Sequence, residues 1–258
     1  MAGATAPHGT PIALFCLGLA WPVAAWAYRP FDSTDAAVAE KGALELELSP
    51  LGFLKQGADR SLVAPSIILN WGFAEGWELV LEGRSFVGLG SDAAQPRLRV
   101  DEAALSLKTV LRKGVLQGKS GVSVAGEWSA LLPATDGDGG AGAEVTLIVS
   151  QRWSAVTAHV NGAAAWTRAH AAGLFAGLIL EGHDAWPVRP VTEVFVEAEH
   201  DVPTTVSWLG GAIWRALDDL SFDAALRLAR AGGVNTTEVR VGLTWAFSAG
   251  FPSVRSKP

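Results

Sequence analysis

Residues 238–247 read Glu-Val-Arg-Val-Gly-Leu-Thr-Trp-Ala-Phe and separate into two interleaved sets. Val239, Val241, Leu243, Trp245 and Phe247 take every second position, while Glu238, Arg240 and Thr244 fill the places between. In a strand, successive side chains point to opposite faces, so this stretch has one greasy face and one polar face. The same texture recurs upstream. In 77–86, Trp77, Leu79 and Leu81 oppose Glu78, Glu82 and Arg84; in 143–153, Val145, Leu147, Val149 and Trp153 oppose Glu144, Thr146, Ser150 and Arg152. In 192–199, Val194 and Val196 oppose Glu193, Glu197 and Glu199; in 220–227, Leu220, Phe222, Ala224 and Leu226 oppose Ser221, Asp223 and Arg227.

Each segment runs about ten residues and ends in a Gly, Asp or Pro cluster, the spacing expected of strands that cross a bilayer at a tilt. Counting such segments predicts an all-β chain: an antiparallel transmembrane β-barrel of about twelve strands. The strands are expected to begin near residues 43, 62, 77, 98, 119, 142, 156, 172, 190, 204, 219 and 236. With both chain ends on the periplasmic side, connectors at 50–61, 87–97 and 132–141 would lie outside, and Ala74-Glu75-Gly76 would be a periplasmic turn. The outside connectors are expected to be the longer ones. Trp71, Phe73, Trp77, Trp153, Trp214, Trp245 and Phe247 then gather at one rim, and Trp128, Trp166 and Trp208 at the other, as two interfacial girdles require.

Composition agrees. The 258 residues include 11 Trp but a single Tyr and a single Met, with 29 Gly, and mean hydropathy is +0.26. Beyond the N-terminus no apolar run is long enough for a spanning helix. Residues 1–27 read as a signal peptide: Pro11 to Ala20 form a short apolar core, and Ala25-Trp26-Ala27 offers small residues for cleavage after Ala27. The only cysteine, Cys16, lies in that segment, so residues 28–258 hold no thiol for a disulfide or a metal. The barrel domain is read as 28–247 and residues 248–258 as a polar tail. A net charge of −6 without a basic stripe excludes nucleic acid as a partner.

Catalytic patterns are absent. His159, His170, His183 and His200 show no metal-ligand spacing, and there is no nucleophile elbow, phosphate loop or dinucleotide fingerprint. No enzyme activity and no cofactor is expected. Asp136-Gly137-Asp138-Gly139-Gly140 has the composition of a calcium loop but lacks its twelfth-position Glu, so a solvated hairpin turn is favoured. The polar face carries the functional signal. Alternation assigns to the lumen Glu78, Glu82, Arg84, Glu127, Glu144, Arg152, Glu193, Glu197, Arg227 and Arg240, with Glu45, Glu47, Glu102, Glu181, Asp223, Glu238 and Lys108 beside them. Acids outnumber bases. They either fill a narrow barrel with ion pairs or line a narrow path that favours cations or amphipathic solutes, with arginines pairing some of the acids.

The terminal strand resembles the targeting strand of outer-membrane barrels, with Gly242 followed by Trp245 and Phe247 as candidate signals for the barrel assembly machinery. Such a strand is recognised by β-augmentation and then closes the barrel. Tyr28-Arg29-Pro30-Phe31-Asp32-Ser33-Thr34-Asp35, with Gly42, Glu45 and Glu47, resembles the opening of the phenol-degradation MetA-pathway-like family of outer-membrane transport barrels. That resemblance implies an outer-membrane barrel of solute-uptake type. The expected function is a passive channel or uptake protein for an unspecified small solute, embedded in outer-membrane lipid and without a plug domain. The rival readings are a soluble periplasmic barrel with a hydrophobic ligand inside, an outer-membrane enzyme, and a structural barrel with a closed lumen.

Overall fold

A computed structural model of the chain describes residues 29–90, 98–135 and 139–248. The signal-peptide reading, the residues Asp136 to Asp138 and the tail beyond Ser248 lie outside the described residues. Twelve strands follow one another: β1 Ala43–Gln56, β2 Asp59–Ala74, β3 Trp77–Gly88, β4 Leu98–Arg112, β5 Ser123–Leu131, β6 Gly142–Arg152, β7 Val156–Trp166, β8 Ala172–Gly182, β9 Val188–Glu199, β10 Thr205–Arg215, β11 Leu220–Ala231 and β12 Val234–Ser248. Each pairs antiparallel with its neighbours in sequence, and β1 pairs with β12 to close the barrel. Closure leaves no strand edge unpaired, which is what a sheet in lipid requires.

Alternation decides which face is which. Leu147 is 53% exposed while its neighbour Thr146 is 9% exposed, and Leu81, Val145, Val160, Val194, Val196 and Val241 are exposed like Leu147. Polar residues such as Glu47, Ser150, Asn161, Glu193 and Thr244 are buried inside. The apolar face therefore points outward. A soluble ligand-binding barrel has the opposite polarity, and the belt seen here is stable only against lipid.

Exposed tryptophans flank that belt. Trp77, Trp153, Trp214 and Trp245 stand at the end that carries Ala43 and Ser248, called here the terminal end; Trp128, Trp166 and Trp208 stand toward the far end.

Two expectations need correction. The connector expected at 50–61 shrinks to Gly57-Ala58, because β1 and β2 both continue to the turn. Their prolines interrupt the ladder without ending it: register shifts between Leu48 and Leu51 and between Val63 and Ser66 place Pro50 and Pro65 at bulges, where a missing N–H is tolerated. Gly57 supplies the left-handed conformation of the turn at φ +60°. Second, β5 begins at Ser123 rather than near 119, and the terminal end carries a long connector, 113–122. That connector folds inward through a short 3₁₀ turn, Val115–Gln117. At its base Lys113 Nζ donates to the exposed Glu75 at 2.6 Å, and this bond holds the Glu75 carboxyl below its ordinary range.

Candidate functional site

The lumen is the site, and its first surprise is that the chain itself enters it. Residues 29–42 form no strand, yet Arg29, Ser33, Asp35, Ala36 and Ala39 are buried within the barrel. The contacts of this segment run down the strand order. Arg29 Nε meets Asp223 of β11 at 3.3 Å, and Arg240 of β12 donates to the Pro30 carbonyl at 2.7 Å. The amides of Asp32 and Ser33 both donate to the Glu193 carboxylate on β9, at 2.9 and 2.7 Å. Thr34 exchanges two hydrogen bonds with Asn161 of β7, at 3.1 and 2.7 Å. The Ala36 amide donates to Ser150 Oγ of β6 at 2.9 Å, and the Ala39 amide donates to Glu78 of β3. Gly42 N then reaches the Gly72 carbonyl of β2 at 2.6 Å, one residue before β1 begins. The segment is an inner hoop that runs once around the wall.

The inward turn at 113–122 belongs to the same construction. Gln117 Nε2 donates to the Ala36 carbonyl at 2.8 Å, and Leu116 packs on Ala36, Ala125 and Ile148. Fully buried Ile148, Ile179, Leu209 and Ile213 fill the space beside the hoop. The terminal half of the lumen is thus packed. A segment of the barrel domain itself thus occupies this half of the lumen, and Glu193 and Thr244 of the polar face, 1% and 0% exposed, meet packed chain there rather than open space.

The far half is hollow. One cavity of about 430 Å³ reaches from Phe31 and Asp32 past Glu82, Glu127 and Glu144 to Phe175, Phe195 and Glu197. Smaller space beside Arg84 and a further cavity near Arg168 share walls with it. Between hollow and packed halves lies a charged cluster. Glu238 takes Arg240 at 2.8 Å, Arg227 at 3.3 Å and Arg84; Asp32 of the hoop takes Arg240 at 2.9 Å and Arg227 at 3.4 Å; Arg84 also holds Glu102 at 2.9 Å. Burying such charges costs desolvation that the pairing offsets, so the cluster fixes position more than it adds stability.

The ten residues that alternation assigned to the lumen divide between these regions. Arg84, Arg227 and Arg240 join in the cluster; Glu78 and Glu193 anchor the hoop; Glu82, Glu127, Glu144 and Glu197 line the hollow. Arg152 lies apart, at the terminal end, paired with Asp184 at 2.8 Å. Gly242 faces inward against Arg29, whereas Trp245 and Phe247 are ring neighbours at 5.2 Å. Sequence reasoning missed Arg29, Asp32, Asn161 and Gln117 as lumen residues, and the aromatic pair Phe175 and Phe195. Nothing periodic marks the hoop, so only the polar run before its alanines could have pointed to it.

One arrangement has the outline of a hydrolytic triad. Ser150 Oγ lies 2.8 Å from His159 Nδ1, and His159 Nε2 lies 3.5 Å from Glu181. Ser150 is 0% exposed, its oxygen accepts the Ala36 amide, and it lines none of the cavities just described. A nucleophile needs room for the reacting atom, and this serine holds the hoop instead. Among the described residues no three His, Cys, Asp or Glu converge to hold a metal ion.

Closed meander, lipid-facing belt and charged interior together define a class, the transmembrane β-barrel. No protein-family profile and no curated protein matches the sequence. Solved structures of similar fold include an outer membrane channel from Pseudomonas putida F1 (TM-score 0.59, 10% identity, 84% of this chain and 99% of that one). The NanC porin (0.57, 8%, 78% and 98%) and the KdgM porin (0.53, 9%, 79% and 98%) are similar too. At such identities the likeness is one of fold.

Proposed function

We propose that this chain is an outer-membrane channel through which small solutes diffuse, favouring cations, with the inner hoop as its constriction. The observation that carries the reading is the imbalance of the hollow: eight acids and three bases line a cavity of about 430 Å³ in a barrel whose outside is apolar. Excess carboxylate in a narrow, half-enclosed space raises the local concentration of cations and repels anions. The orientation follows the barrel rule, with the terminal end in the periplasm and the hollow open to the outside. The porins and the channel of similar fold support a transport role. The likeness of 28–35 and Gly42 to the MetA-pathway-like family supports uptake in particular, and these are largely the residues of the hoop.

The test is single-channel recording. Barrel recovered from the outer-membrane fraction and inserted in planar bilayers under a KCl gradient should show a reversal potential of the sign for potassium permeation. A current carried by chloride, or no current from correctly folded barrel, would sink the reading.

A further inference from the structure

We propose that the hollow far half of the lumen binds a monovalent organic cation with an aromatic or apolar body, held between carboxyl groups that make no ion pair of their own and the Phe175–Phe195 pair. The proposal deepens the channel reading and rests on it for the route by which the ligand arrives.

The acids of the lumen are unequally matched. Asp32, Glu78, Glu102 and Glu238 each meet an arginine or lysine. Glu82, Glu127 and Glu197 also line the hollow, and among the described residues they make no hydrogen bond and no ion pair. At the floor of the same cavity stands Glu47, fully buried: its Oε1 accepts from Asn70 at 2.9 Å, and its Oε2 has no donor. A buried carboxylate oxygen without a donor is uncommon in folded proteins, and one lining a cavity is satisfied by what enters it.

The shape of the negative charge selects the kind of cation. A small metal ion needs several ligands converging within a few ångströms, and no such group exists among the described residues. Carboxylates spread along a wall suit a cation whose charge is itself spread and weakly hydrated. The ring faces supply the rest. Phe175 and Phe195 lie 5.2 Å apart and tilted by 36°, both lining the cavity. The Arg227 guanidinium already stands 5.1 Å over the Phe195 ring, so that face is taken, and the Phe175 ring is the one left for the cationic end of a ligand. A volume of about 430 Å³ falls within the range of small-molecule sites.

Calorimetry on the folded, detergent-solubilised barrel tests this without requiring conduction. Phenyltrimethylammonium is the probe; tetramethylammonium removes the ring, and benzoate reverses the charge. The probe should bind about tenfold more tightly than tetramethylammonium, and benzoate should not bind. Phe175→Leu with Phe195→Leu should weaken the probe about tenfold, and Glu127→Gln with Glu197→Gln should weaken it and flatten its salt dependence. Heat-modifiable migration verifies that each variant is folded. Equal affinity for the two ammonium ions, indifference to both double variants, or no binding by folded wild-type barrel overturns the proposal. A barrel that passes potassium but ignores the probe leaves the channel reading standing and removes only this one; a barrel that binds the probe but passes no current does the reverse.

Discussion

Gly72 has no side chain because the backbone of the hoop occupies the place where one would be. A β-carbon there would lie 2.2 Å from the Glu40 carbonyl oxygen and 2.4 Å from that of Ala39. Gly177 makes the same room for Ser33, and Gly242 for Arg29. These obstacles differ in kind: a side chain can turn aside, whereas at Gly72 the backbone itself must move. Gly72→Ala should therefore lift the hoop from β2 while leaving the ladder intact, at a cost of roughly 1–3 kcal/mol. Hydrogen exchange read by mass spectrometry should show faster exchange of the amides of 36–42 with the strand amides unchanged. Unaltered exchange in 36–42 would mean that the hoop does not depend on this contact. In the sequence these glycines look like ordinary weak points in strands. Their meaning depends on a partner more than thirty residues away at the nearest, and no local pattern carries that information.

At the scale of the element, alternation made the facing of the strands legible because a membrane barrel puts its greasiest atoms outside. The predicted starts of β1, β3, β4, β6, β7 and β8 coincide with the observed ones, since each begins where the period of two begins. Ends near turns drifted for physical reasons, at the bulges of Pro50 and Pro65 and at the inward 3₁₀ turn. The last strand has a further property that its own pattern does not show. Phe247 lies opposite Leu44, and Trp245 opposite Leu46, so the two rings stand on the seam where β12 meets β1. That seam joins the two ends of the strand order, and a strand recognised by augmentation would present this edge before it closed. Phe247→Ala should lower the yield of heat-modifiable barrel in the outer membrane while refolding from denaturant in detergent is little changed. Equal loss in both settings would assign the ring to stability, and no loss in either would remove it from assembly.

The whole molecule combines two solutions to one problem, how to fill a barrel. On the terminal side the hoop, the inward turn and buried Ile148, Ile179, Leu209 and Ile213 fill it; on the far side acids and two phenylalanine rings leave it hollow. On the channel reading, a solute entering from the far end would meet the hoop before it left at the terminal end, and its passage would require the hoop to move. The contact between Thr34 and Asn161, two hydrogen bonds at 3.1 and 2.7 Å, is a place to fasten it. Thr34→Cys with Asn161→Cys introduces a pair of thiols into a chain whose other cysteine is Cys16. Oxidation would tether the hoop to β7, and a reductant would release it without unfolding the barrel. In planar bilayers the reduced pair should conduct at least as well as wild type, because the double change removes the Asn161 anchor. The oxidised pair should conduct about tenfold less, as expected when a constriction needs more than about 1.4 kcal/mol of added distortion to open. Equal current before and after reduction, with the disulfide verified by mass, would mean that solute passes beside a stationary hoop.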